Sequence, residues 1–234
     1  MQPDTLTRER IVTAAVELLD REGLEGLNMR ALGELLGSAA TAVYWHVRSK
    51  GDLVALAGDH VWAEIALPDL NAVDWRTAAT SMATDLYALL LRHPWLVNAF
   101  GSFPIYGPAK ARYNDQSIAI FEAAGFRGPE AVQAATAVFT FVLGNALGPA
   151  AEGALRRRLR RKGGNAERRM RSTMARARQI ATRFPRLRAR LETRAAEYVA
   201  SPEKSFELGL EAILHGLQAR LSAQRAPARR GARR

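Results

Sequence analysis

The sequence predicts an all-α fold, and three observations carry that expectation. Ala and Leu dominate and aromatics make up only 7% of the chain, a balance that favours helix over strand. Apolar residues recur at helical spacing, while strand-like alternation is scarce. Gly, Pro, Asn and Ser stand where such helices would start and stop. The 234 residues allow one or two domains. A three-helix N-terminal unit joined to a larger helical body fits the pattern. We place the divisions at 1–52, 53–222 and a basic tail, 223–234.

The first helix runs over about 7–22. Ile11, Ala15, Leu18 and Leu19 share its inner face, and Gly23 is its natural stop. Asn28 reads as an N-cap, opening a helix over 29–36 with Leu32, Leu35 and Leu36 inward and Gly37 ending it. A third helix follows over about 39–47, with Val43 and Val47 as its apolar positions. Ser49 and Asp52 fit a capping box. They start a fourth helix through Leu53, Leu56, Ala57, Val61 and Ile65, stopped by Pro68. Longer helices are then expected over 75–92, 108–124 and 129–150. The first is broken by His93-Pro94, and the last has Pro129 in its first turn. Residues 163–200 read as one or two polar helices interrupted at Pro185, and 202–222 as the final one. The tail is too basic and too poor in apolar residues to pack.

Charge is unevenly spread. The net charge is +11, yet residues 155–190 carry 15 Lys/Arg against the single acid Glu167, and 225–234 add five Arg with no acid. The first 50 residues hold six bases and seven acids. Whole-chain basicity is therefore no argument that the N-terminal unit binds DNA; that must rest on placed residues. The absence of Cys excludes a disulfide scaffold, a thiolate metal site and a Cys nucleophile, and fits a reducing cytoplasm. No signal peptide is expected from the first ten residues. None of His46, His60, His93 and His215 pairs with another at metal-ligand spacing. No Ser/His/Asp spacing or Gly-rich phosphate loop occurs either, so no enzyme is expected.

Two short helices around a Gly-containing turn, behind a supporting helix, describe a helix-turn-helix. Its second helix would enter the major groove. Ala40 and Ala42 would let that backbone approach DNA closely, and Thr41 could reach a phosphate or a base edge. Tyr44, Trp45 and His46 supply polar tips; equally, Tyr44 and Trp45 could fill the small core, although three consecutive helical residues cannot all face it. Lys50, at the start of the next helix, and Arg30, in the first turn of the preceding one, are phosphate candidates.

The runs NMRALGELLG from Asn28 and VYWHVRSKGDL from Val43 resemble the signature of the tetracycline-repressor family. FELGLEAILHGLQARL from Phe206 is similar to that family's last helix. The resemblance implies a homodimeric, ligand-responsive transcriptional regulator, most often a repressor, bound to double-stranded operator DNA. It places the DNA contacts on Arg30, Ala40, Thr41, Ala42, Tyr44, Trp45, His46 and Lys50. Ala40 and Ala42 replace polar residues of the tetracycline repressors, which implies a different operator. Those repressors hold a magnesium–drug chelate through a His and a Glu. Here Phe100 and Gly148 fall at those positions, so neither metal nor tetracycline is expected, and no cofactor.

The last helix carries one apolar stripe, Phe206, Leu210, Ile213, Leu214, Leu217 and Leu221, and a small-residue stripe, Gly209, Ala212, Gly216 and Ala219. Residues 131–147 are apolar nearly all round but short for a membrane span. Both helices could be ordinary core. The resemblance implies a four-helix dimer interface through Phe139, Leu143, Gly209, Ala212, Ile213, Gly216 and Leu217. It puts the effector inside the body, where the candidates are Trp62, Met82, Leu86, Phe100, Phe103, Tyr106, Tyr113 and Phe139. Their mostly apolar character points to a small, largely apolar effector. His93 reads as a surface or capping residue. The alternative function is a non-specific nucleic-acid or polyanion binder driven by 155–190 and the tail; the same run could instead be a solvated face.

Overall fold

Local capping sets the first helices. The computed structural model describes residues 6–161, 166–192 and 202–225, and the described residues form eleven α-helices with no strand. Helix α1 (Arg8–Gly26) starts on Thr7, whose hydroxyl accepts the Arg10 N–H at 3.2 Å. Gly23 does not stop it. That residue takes φ 69°, ψ −177°, which kinks the chain, and one more turn follows to Gly26. Helix α2 (Met29–Leu36) starts on Asn28, whose carbonyl oxygen accepts the Ala31 N–H at 2.9 Å. Its end is a Schellman turn: Gly37 is left-handed, and Ser38 N–H donates to the Gly33 carbonyl at 2.9 Å. Helix α3 is only Ala40–Tyr44, shorter than expected, with turns through Trp45 and His46. Helix α4 (Lys50–Trp62) begins on Ser49, whose hydroxyl accepts the Asp52 N–H at 3.1 Å. It ends before Ile65, which is nonetheless buried.

The body follows as α5 (Trp75–Arg92), α6 (Pro94–Ala99), α7 (Pro108–Ala124), α8 (Pro129–Arg161), α9 (Ala166–Ala181), α10 (Pro185–Glu192) and α11 (Pro202–Arg225). The expected break at His93-Pro94 is present, but Pro94 is also the first residue of α6, where its fixed φ suits a helix start. Helix α8 outruns its expected end at 150 by eleven residues. Its extension carries an Arg156–Glu152 pair at 2.6 Å, one turn apart, and lays Arg157 and Arg161 against the end of α1. Residues 223–225 of the expected tail belong to α11; 226–234, and parts of 163–200, lie outside the described residues.

One continuous apolar cluster runs through both halves. Helix α1 packs on α2, α4 and α6, while α8 packs on α5, α6, α7 and α11. Helix α4 joins the two groups, with Leu53 and Val54 buried near one end and Val61 and Trp62 near the other. At 33 residues, α8 is long and apolar enough to cross a membrane by length and composition, against the expectation of a short segment. One stripe of it, Ala131, Ala134, Val138, Val142, Ala146 and Ala150, is buried against other helices of the same chain. Leu35, expected inward, is exposed, because buried Gly33 takes the place on α2 that faces the start of α3.

Candidate nucleic-acid interface and effector groove

On α3, Val43 and its i+4 neighbour Val47 are buried and anchor the element in the core. That anchoring turns the intervening residues out. Tyr44 is 55% exposed, Trp45 89% exposed, and His46 is exposed as well. Among the described residues, neither Tyr44 nor Trp45 packs into the core. Thr41 is exposed and Ala40 and Ala42 are half-buried, so small residues flank it. Arg8 and Arg48 share a surface hollow with Tyr44, Trp45 and His46; sequence analysis passed over both. Arg48 had a visible signal in its place two residues beyond His46.

The two phosphate candidates differ. Arg30 stands in solvent, paired with Glu34 one turn on at 3.0 Å, a contact of little energetic weight. Lys50 departs from expectation. Its ammonium donates to the Leu24 carbonyl at 2.6 Å and so closes the end of α1. Partial burial and the nearby Arg161 lower its pKa, opposed by Glu25. Arg161 reaches the same end of α1, donating to the Glu22 carbonyl and pairing with Glu25 at 3.3 Å. The cations of α4 and α8 thus complement the carbonyl end of α1.

The effector candidates scatter. Tyr113 and Phe139 line a groove of about 290 Å³ between α7 and α8, together with Lys110, Asn114, Ser117 and Thr136. Trp62 and Phe100 lie behind it. The Trp62 ring is 4.8 Å from Tyr113 and 6.4 Å from Phe139, and Phe100 is 6.0 Å from Phe139. Met82 and Leu86 are buried core residues outside the groove lining. Phe103 is half-buried against the Gly51 position of α4. Tyr106 is 71% exposed and corrects the expectation of a pocket residue, because it sits in the loop before α7.

Sequence analysis missed Lys110. Its side chain is 8% exposed, the Nζ lying 4.4 Å from the Trp62 ring centroid, 4.7 Å from Phe139 and 5.2 Å from Tyr113. Burial pushes its pKa down to about 8, and pushes the Tyr113 hydroxyl up to about 12. The unfolded chain keeps the lysine proton to about pH 10.5. This group therefore disfavours folding at neutral pH, and stability recovers as the pH climbs from about 8 toward 10.5. The Lys110 backbone N–H donates to Asp59 Oδ1 at 2.9 Å. A carboxylate of α4 thus caps α7, whose own N-cap residue, Gly107, has no side chain to do so.

His93 is buried and not at the surface, but it does stand as a cap residue, ending α5 and starting α6. Its Nδ1 is 2.7 Å from Asp20 Oδ1, which also accepts the Trp95 Nε1–H at 2.8 Å, and Glu64 lies 3.2 Å from Nε2 without hydrogen-bond alignment. The expected dimer residues divide as well. Gly209 faces inward: a Cβ there would stand 2.5 Å from the Phe141 ring. The Phe139 ring points to the aromatic cluster. Leu143, Ile213 and Leu217 are half-buried, while Ala212 and Gly216 are exposed, with open space beside Gly216. Gly148 is exposed on α8, and Phe100 packs edge-on against Trp62.

Two family models match the chain. The tetR family of bacterial regulatory proteins matches residues 11–57, and the tetracyclin repressor-like C-terminal domain matches 67–221. An HTH-type transcriptional regulator of Saccharopolyspora erythraea is 39% identical over 140 residues, 60% of this chain and 59% of that one. The match thus spans about three-fifths of that relative's length. The class A tetracycline repressor of transposon 1721 from Escherichia coli is 30% identical over 94% of this chain and 92% of its own. The solved structure of the Streptomyces coelicolor protein ActR in complex with actinorhodin superposes with a TM-score of 0.68 at 26% identity, covering 94% of this chain and 97% of that one. With its N-terminal and C-terminal segments both matched in order, the chain belongs to the tetracycline-repressor family of bacterial regulatory proteins.

Proposed function

We propose that the protein is a cytoplasmic, homodimeric transcriptional repressor, released from a palindromic operator by a small effector and acting by binding, not catalysis. The observation that carries this is the end of α3: Tyr44 and, in the turn that follows it, Trp45 and His46 stand in solvent, while Val43 and Val47 lock the element into the core. Two such tips related by a two-fold axis read two half-sites. Residues 1–52 then serve as the reading domain and 53–222 as the effector and dimer domain. The DNA contacts are Tyr44, Trp45, His46 and Thr41, approached closely at Ala40 and Ala42. Arg30, Arg48 and the free N–H groups at the start of α4 serve the phosphates.

Release works through a population shift, in which effector favours a spacing of the two tips that misfits the grooves. Asp59 supplies the link, since it joins the start of α7 beside the groove to α4.

The test is fluorescence anisotropy with the DNA upstream of the protein's own gene against scrambled DNA, at several salt concentrations. Sequence preference is expected to survive truncation after Gln224. Operator preference should fall at least about 30-fold in Tyr44→Ala, the loss of one base-edge contact of about 1–3 kcal/mol in each of two half-sites. Equal, salt-sensitive binding to both DNAs that vanishes on truncation overturns the operator reading in favour of polyanion binding. An arginine-lined cleft between α8 and α9, including Arg156, Arg157 and Arg160, keeps that second reading concrete.

For the dimer, the exposed faces of α8 and α11 around Leu147, Ala212 and Gly216 are the proposed contact. Gly216→Arg is expected to leave helix content intact, since the position is open among the described residues and Gly costs about 1 kcal/mol in a helix. Light scattering should nevertheless show a monomer.

A further inference from the structure

A lysine cation is strongly hydrated and is rarely buried without an anion beside it. Lys110 is buried, and among the described residues no carboxylate lies within 4 Å of its ammonium. Its partners are three ring faces and the Asn114 side-chain oxygen at 2.5 Å. Ring faces and an amide oxygen attract a cation but do not neutralise it. A second donor in the same cluster, Trp62 Nε1–H, is buried with no acceptor among the described residues. Lys110 lines a groove walled by Ile118, Val132 and Phe139 beside the polar Ser117 and Thr136, and Trp62 lies behind its ring wall. Its volume of about 290 Å³ is at the small end for ligand sites.

We propose that the effector is a small aromatic carboxylate of one or two rings, whose anionic group pairs with Lys110 while its ring stacks against Tyr113 and Phe139. This rests on the regulator reading for its consequence at the operator, but not for the binding itself. The anion supplies the charge that the fold withholds, and an apolar molecule of the same shape leaves Lys110 unpaired. The site therefore selects by charge as well as by shape.

The probe pair is 1-naphthoate and its neutral isostere 1-naphthamide, titrated by calorimetry into the free, full-length protein. At pH 7 the acid is expected to bind at least tenfold more tightly than the amide. In Lys110→Met the two should agree within twofold, and the variant should melt no lower than the parent, because it removes a buried charge. In the unaltered protein, affinity for the acid should fall as the pH passes about 8, while affinity for the amide stays flat. The ionisable groups facing Lys110 are Tyr113 on α7, neutral until about pH 12, and Asp59 on α4, which accepts from the Lys110 backbone. Helix α8 contributes Val132, Ala135, Thr136 and Phe139 to the groove, none of them ionisable.

Equal binding of acid and amide overturns the proposal. So does an acid preference that survives in Lys110→Met, or failure of the acid to bind below millimolar concentration. The comparison in the unaltered protein decides the matter even if the variant does not fold. Operator binding is measured separately. If operator binding fails while the acid preference holds, the regulator reading falls and this site stands. If a neutral compound releases the operator and the acid shows no preference, the reverse holds.

Discussion

Gly33→Val is expected to abolish operator binding while most of the helix content remains. A Cβ built on Gly33 stands 2.7 Å from the Ser38 carbonyl oxygen, 3.1 Å from the Ala40 nitrogen and 3.4 Å from its Cα. All three are backbone atoms, so no side chain can swing aside. The clash falls on the Schellman turn that ends α2 and on the first residue of α3. Relief requires α3 to move as a unit, which shifts Tyr44, Trp45 and His46 relative to α1 and α4. Base-edge hydrogen bonds weaken steeply with such displacements, and each is worth about 1–3 kcal/mol. Two half-sites double the loss. Anisotropy with the operator should show affinity down by more than about 100-fold, with Gly33→Ala intermediate because its one carbon already meets the same oxygen. Weak, salt-sensitive binding to any DNA should persist, since the cations that meet phosphates are untouched. Unchanged operator affinity in Gly33→Val would sink the assignment of α3 as the reading helix.

The starts of α2 and α4 and the end of α2 were legible because their signals are local. Asn28, Gly37 and Ser49 each act within five residues of themselves, so cap and turn chemistry place them without tertiary knowledge. The exposure of Trp45 was less so: Tyr44 and Trp45 suit a small core by residue type, and only the burial of Val43 and Val47 decides against it. Leu35 misled for a related reason, since the close approach of α3 hands the inner position to Gly33. In the body the losses were larger. Lys110 looks like a surface charge, yet it falls on the buried stripe of α7 with Tyr113, Ile120 and Ala124. That stripe was visible in the sequence; the cage was not, because Trp62 and Phe139 arrive from α4 and α8. Phe139 was assigned to pocket and dimer together, and its ring contacts favour the first.

Two joints explain how groove and tip could exchange free energy. Asp59 caps α7 at Lys110, one turn from the groove residues Tyr113 and Asn114. Arg161, at the far end of the groove helix α8, holds the last turn of α1. The first contact joins α7 to α4, the helix that links the two halves, and the second joins α8 directly to α1. An effector that moves α7 or α8 must strain or release one of them, which is the differential contact that a population shift requires.

The largest stability loss is expected at a third joint. Asp20 on α1 accepts from Trp95 Nε1–H and from His93 Nδ1–H, and both donors belong to the α5–α6 corner. A carboxylate can only accept, so both facing nitrogens carry hydrogen. Trp95 is 0% exposed, and Asp20→Ala leaves its N–H with neither acceptor nor water. An unsatisfied buried donor costs about 1–3 kcal/mol, and a second bond to a charged acceptor is lost with it. The sum, about 2–4 kcal/mol, corresponds to a melting point lower by roughly 5–12 °C for a chain of this size, compared at one protein concentration. Asp20→Asn should lose less than half as much, because its amide oxygen still accepts from Trp95 and only the charge is gone. The contrast separates a buried hydrogen bond from long-range electrostatics: equal losses in the two variants would assign the joint to charge alone. Trp95→Phe combined with Asp20→Ala should then cost less than the two changes summed, since the orphaned donor is absent.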